Sequence, residues 1–327
     1  MVIRMTHNPL YNIYIASCAK GGGIYHYHLY NDGCLKLKSF TEMDRPMYMA
    51  CENNKLYILL RSPFSENSES GLIVYDISSD GKLKNPSDII STKGQVACHL
   101  SVNGGEVYCA NYISGSVIKM PEKLIKHEGK GINPVRQEAP HAHYAGFTPD
   151  KEFVCVADLG LDTVFLYNRD LEVVNKVKVP EGHGARHLVF SNDGKYCFVA
   201  NELKSTVSVL EYKTGELKYI DAVSCLPEGY TGETTASAIR FDDNCIYVSN
   251  RGLDTISVLK NKNGKLVYKD TYSTGGNFPR DFDIVGNHII CTNEKSDSIT
   301  VLGKQNFNLE YTENNVKSPI CVIAREI

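Results

Sequence analysis

Five residues of this 327-residue chain carry side chains suited to proton transfer and to holding an anion: His143, Arg186, Glu202, Arg251 and Arg280. A carboxylate or an imidazole accepts a proton from water, and planar guanidinium forks suit the oxygens of a carboxylate, a phosphate or a developing oxyanion. The five span nearly 140 residues, so they act together only if the fold gathers them. No serine sits in a G-x-S-x-G elbow, which leaves covalent catalysis without support. His141 and His143 form an H-x-H, but no third ligand stands at a diagnostic spacing. Neither a metal nor a cofactor is expected.

The elements that must position these residues repeat along the chain. A short apolar run recurs seven times, as IYIAS (13 to 17), LYILL (56 to 60), VYCAN (107 to 111), VCVAD (154 to 158), CFVAN (197 to 201), IYVSN (246 to 250) and IICTN (289 to 293). The ends of successive runs lie 43, 51, 47, 43, 49 and 43 positions apart. Most runs are followed by a second strand-like segment, such as DTVFLY or STVSVL, and most are preceded by a third: MYMAC, CHLSV, HYAGF, RHLVF, SAIRF and RDFDI. Three strands and a more variable outer one, with a period in the forties, predict the blades of an all-β, seven-bladed β-propeller. A sandwich does not repeat, and a β-helix repeats at shorter periods. The first unit has no leading run, yet the chain ends in SPICVIAREI, which reads as one. Residues 319 to 324 are therefore expected to complete the N-terminal blade, closing the ring and removing open sheet edges. Residues 1–327 are read as one domain.

In a propeller the leading strand lines the central channel, and its start lies at the same mouth as the end of the strand that follows. Four residues back from the end of each leading run stand Met47, Cys98, His143, Arg186, Ser237 and Arg280. Just after the second runs stand Cys18, Arg61, Tyr112, Leu159, Glu202, Arg251 and Glu294. The five chemical residues all fall in these two sets and should converge at one mouth. Three arginines near one carboxylate would leave excess positive charge, so an anionic small molecule is the expected partner. Glu202→Gln and His143→Ala are expected to lose turnover with the fold intact.

Composition narrows the partners further. Lys and Arg number 35 against 38 Asp and Glu, for a net charge of −3, which gives no footprint for nucleic acid or an anionic membrane. The N-terminus lacks the basic start and apolar run of a secretory signal, and no stretch is long and apolar enough to span a membrane, so the cytoplasm is the expected location. The eleven cysteines include no C-x-x-C pair, and Cys109, Cys155, Cys197 and Cys291 lie in apolar runs, as buried free thiols do.

The segments PHAHYAGFTPDKEFVCVADLGLDTVFLY, GHGARHLVFSNDGKYCFVANELKSTVSVL, ASAIRFDDNCIYVSNRGLDTISVL and FPRDFDIVGNHIICTNEKSDSITVL resemble the seven-bladed lactonase family. That family contains the propeller-type 6-phosphogluconolactonases and the fungal 3-carboxy-cis,cis-muconate lactonizing enzyme, and weaker similarity extends over nearly the whole chain. The resemblance implies His143, Arg186, Glu202 and Arg251 as catalytic residues and Arg280 as a substrate contact, with His187 and Tyr112 as further candidate contacts. The family's G-P-R-H reads Gly184-Ala185-Arg186-His187 here, a departure expected to loosen the loop without moving Arg186. The implied activity is hydrolysis of a sugar lactone, 6-phosphogluconolactone in the pentose phosphate pathway first, with Arg280 leading the groups that hold the phosphate. One scaffold hosts several activities. The alternatives are a muconate-type lactonizing isomerase and a propeller that binds an anionic metabolite or a protein without catalysis.

Overall fold

A computed structural model describes residues 8–327. The first seven residues, where the reading of the N-terminus as lacking a secretory signal begins, lie outside the described residues. Seven antiparallel sheets follow one another in a ring, numbered here as blades 1 to 7. Six have four strands, and blade 2 has five because its outer part is split into Leu83–Lys84 and Ile90–Ser91. The closing strand is observed: Pro319–Glu326 pairs with Tyr11–Ser17 as the innermost strand of blade 1. No helix of the described residues is long and apolar enough to cross a membrane.

The repeated apolar run owes its composition to burial on both faces. In blade 5, Cys197 and Val199 point into the interface with blade 4, while Phe198 and Ala200 point into the interface with blade 6. Period-two alternation therefore distributes one strand between two cores, and the buried polar side chains of the runs, such as Asn201, gather toward their ends. Among the described residues seven hydrophobic clusters form, each between two adjacent blades. The cluster between blades 7 and 1 contains Val322 of the closing strand, so the joint is packed like the others. Asp281 pins the same joint, accepting from Val322 N at 3.1 Å and from Arg240 Nη2 of blade 6 at 2.9 Å.

One local device turns selected side chains into the channel. In every blade the pairing between the leading strand and its neighbour slips near its start, and the residues passed over are Ile320, Met47, Cys98, His143, Arg186, Ser237 with Ala238, and Arg280. A bulged residue leaves the pleat and re-aims its side chain. In five blades the residue before the leading strand also has a positive φ: Arg45, Val96, Gly184, Phe278 and Ser318. A sharp entry followed by a bulge thus sets the first ring of channel side chains.

Candidate active site

Those bulged positions include the ones that counting back along the repeat selects. Around the ring, Ile320, Met47 and Cys98 of blades 1 to 3 form a soft arc, and His143, Arg186, Ser237 and Arg280 of blades 4 to 7 form a polar one. One residue further along, Tyr48, His99, Tyr144 and His187 fill the channel. Ring centroids lie 4.4 Å apart for Tyr48 and His99, 4.1 Å for His99 and Tyr144, and 5.2 Å for His99 and His187. This plug makes the mouth above it a pocket with a floor.

The pocket is a cavity of about 840 Å³, a size suited to a small metabolite. His143, Glu202, Arg251, Arg280 and Tyr112 line it. Arg186 and His187 do not; they border a void of about 10 Å³ beneath, with Cys98 and Asp281. His187 thus belongs to the plug, its ring 5.3 Å from that of His143.

Glu202 is the electrostatic centre. Its Oε2 accepts from Arg186 Nε at 2.9 Å and forms an ion pair with Arg251 Nη2 at 3.0 Å, a nitrogen that donates to Ala236 O, and its Oε1 accepts from Arg136 Nη2 at 2.6 Å. Burial opposes ionisation, but Arg251, Arg186, His143 and Arg136 together outweigh it and hold the carboxyl well below the usual carboxylate range. His143 Nε2 lies 4.0 Å from the same Oε2, too far for a direct hydrogen bond. Burial first and Arg186 second keep this imidazole neutral far below its ordinary value. Burial and the neighbouring Arg251 pull Arg186 down to about 10, still charged at neutral pH. Two buried guanidinium nitrogens, Arg186 Nη1 and Arg251 Nε, have no hydrogen-bond partner among the described residues. Cys98 Sγ lies 3.6 Å from His143 Nδ1, and burial pushes its thiol up to about 12, so it offers no thiolate.

Two expectations about charge change. The site holds more than one carboxylate: Glu294 pairs with Arg280 at 3.3 Å, so Arg280 is not a bare cation. It also holds a fourth arginine near Glu202 that the repeat does not mark. Arg136 lies in the long connection from blade 3 to blade 4, whose buried Gln137 donates to Leu159 O at 2.8 Å. The Asn133 side chain caps the turn, accepting from Val135 N and Arg136 N. From there Arg136 reaches both Glu202 and, at 3.3 Å, the hydroxyl of Tyr112. Phe278, Lys295, Asp254 and Glu233 complete the wall. For Arg136 and Glu233 the one sequence signal is a period stretched from 43 to 47 and 49, while Asp254 and Phe278 lie in an interval of 43 and Lys295 just beyond it.

His141 and His143 do not converge on a common point. The His141 ring stacks on Tyr112 at 4.5 Å and contacts Tyr112 O and Glu138, while His143 faces Glu202.

A family described as lactonase, 7-bladed beta-propeller, matches residues 12–324. The chain belongs to that family. A protein of undetermined function from Staphylococcus aureus strain USA300 is 31% identical to this lactonase-family propeller over 322 residues, covering 90% of this chain and 93% of its own. A solved structure from Lactobacillus plantarum has a TM-score of 0.88 at 30% identity, over 97% of this chain and 100% of that one. The periplasmic gluconolactonase of Pseudomonas aeruginosa has a TM-score of 0.84 at 23% identity, over 96% of this chain and 99% of that one, and shares the fold.

Proposed function

We propose that the chain hydrolyses a sugar lactone, with 6-phosphogluconolactone as its substrate, by direct attack of water. The observation that carries this reading is His143, whose Nε2 lies 4.0 Å from Glu202 Oε2 in the cavity wall, beside Arg251, whose buried Nε has no hydrogen-bond partner among the described residues. Glu202 is engaged by three arginines and is a poor proton acceptor. That leaves His143 as the base, with Glu202 stabilising the imidazolium it becomes.

Water attacks the lactone carbonyl carbon and its proton passes to His143 Nε2. The carbonyl oxygen becomes an oxyanion facing Arg251, which lines the cavity and strengthens its donation as charge develops, while Arg186 beneath holds Glu202 in place. The tetrahedral intermediate then breaks the ring C–O bond, and the departing alkoxide takes the proton back from His143. The products are a carboxylic acid, which ionises, and a hydroxyl group. No nucleophile from the chain is needed.

The test is a coupled assay with fresh 6-phosphogluconolactone and 6-phosphogluconate dehydrogenase, corrected for spontaneous hydrolysis. His143→Ala is expected to lose about 10²- to 10⁴-fold in turnover. If the purified protein is no faster than buffer on this lactone and on gluconolactone, the hydrolase reading fails and anion binding without catalysis replaces it.

A further inference from the structure

The rim of the cavity carries cations that the hydrolytic step does not use. Arg61 directly follows the second strand of blade 2, Lys55–Leu60, and Lys295 lies on the turn Glu294–Ser296 of blade 7. Neither forms an ion pair among the described residues, and both are exposed at the mouth. Lys295 Nζ is held 3.9 Å over the ring of Phe278, a wall residue, and this cation–π contact keeps the ammonium at the cavity edge. Phe278 is fixed in turn by its N–H, which donates to Asp254 Oδ1 at 2.7 Å.

Between these two blades lies blade 1, whose rim residue is Cys18. Cys18 Sγ lies 3.4 Å from Met47 Sδ, and Met47, Arg61 and Arg280 line the same cavity. Arg280 is only partly committed, since Glu294 shares it at 3.3 Å and both side chains are 26% exposed. Met47 lines this end of the cavity, and Ile320 borders the void beneath. A charged group at this end must therefore be taken by the rim. In a seven-membered ring, blades 7, 1 and 2 lie across from blades 4 and 5, which carry His143 and Glu202.

We propose that Arg61, Lys295 and Arg280 form a seat for a phosphomonoester dianion, at the end of the cavity opposite His143 and Glu202. This rests on the lactonase reading and adds an orientation: the carbonyl lies over blades 4 to 6 and the phosphate over blades 7 to 2. Three donors from two sides suit the oxygens of a phosphate, and a neutral sugar end has no use for them. Glu294 holds Arg280 in place until the dianion competes for it.

The experiment compares 6-phosphogluconolactone with gluconolactone in the unmutated protein, Arg61→Met, Lys295→Met and the double variant, with inorganic phosphate binding measured by calorimetry. The ratio of the two kcat/KM values is expected to fall about tenfold in each single variant, the size of one charged hydrogen bond, and further in the double. KM for the phosphorylated lactone should carry the change, and phosphate should inhibit competitively and bind more weakly to the variants. An unmoved ratio in the double variant overturns the seat and leaves the lactonase reading standing. Noncompetitive inhibition overturns it as the substrate's phosphate site and assigns it to a separate anion. If neither lactone is hydrolysed, the lactonase reading fails by itself. Calorimetry then still decides the seat, because equal phosphate affinity in all four proteins overturns it.

Discussion

Three guanidinium groups within 3.0 Å of one carboxylate give Glu202 a structural role as well as a chemical one. To the expectation that Glu202→Gln leaves the fold intact, this adds a cost in stability. The variant should fold but lose about 3 kcal/mol, because it leaves buried cations uncompensated. Urea denaturation measures this, and sulfate should restore part of the loss in the variant. Because the carboxyl titrates below its unfolded range, its contribution is complete above ordinary carboxylate pKa values and is lost as pH falls through the folded one. His143 gives a separate signature. Its depressed pKa keeps the base unprotonated at pH 6, so kcat/KM should stay flat with falling pH through 6.5. A bound anion raises the imidazole pKa, so the acid limb of kcat should lie above that of kcat/KM. Coincident limbs near 6.5 would assign the base elsewhere.

At the scale of the strand, what positions Arg186 is a backbone device, and its parts were unequally legible. The repeat located the bulged residues because each blade is built to one register, so a count along the sequence is a count along the channel. Arg136 escaped it because connections between blades share no register. Glu294 stands at a marked position, yet its pairing with Arg280 depends on which side chains meet across the rim, which no spacing encodes. Gly184, next to the Ala185 that departs from the family's pattern, has a physical role of its own. The residue enters the leading strand at φ +72, and a Cβ there would stand 2.7 Å from Leu203 Cγ. Gly184→Ala should therefore cost about 1–3 kcal/mol through backbone strain and shift Arg186. Loss of activity exceeding loss of stability in denaturant would show that the entry turn positions the guanidinium. Unchanged values for both would show that the loop absorbs the extra carbon.

Across the whole molecule, buried imidazoles tie stability to pH. Burial lowers His26 to about 4 and His99 to about 3, and holds His143 and His187 well below their ordinary value. The unfolded chain therefore binds protons that the folded one refuses, so stability should be full above the unfolded histidine pKa of about 6.5 and fall as pH drops below it. Thermal unfolding between pH 7 and 5 should show a steep decline, and His99→Phe should flatten it if the ring packs as well in the plug. An equal slope in that variant would place the proton uptake elsewhere. The ring form itself was readable from seven repeated runs and a terminal run without a unit. What holds the joint was not, because Asp281 bridges blades 6, 7 and 1 through partners 41 positions away on either side.

The pairing that closes the ring also determines how the molecule answers force. Tyr11 stands opposite Glu326, and Ser17 opposite Pro319, so the two outermost positions of the chain's paired ends sit together at one edge of blade 1. A pull applied between them loads the ladder one rung at a time, as in opening a zipper, instead of shearing all its bonds together. The propeller should yield at low tension when stretched by its ends, and far more reluctantly when gripped through two different blades.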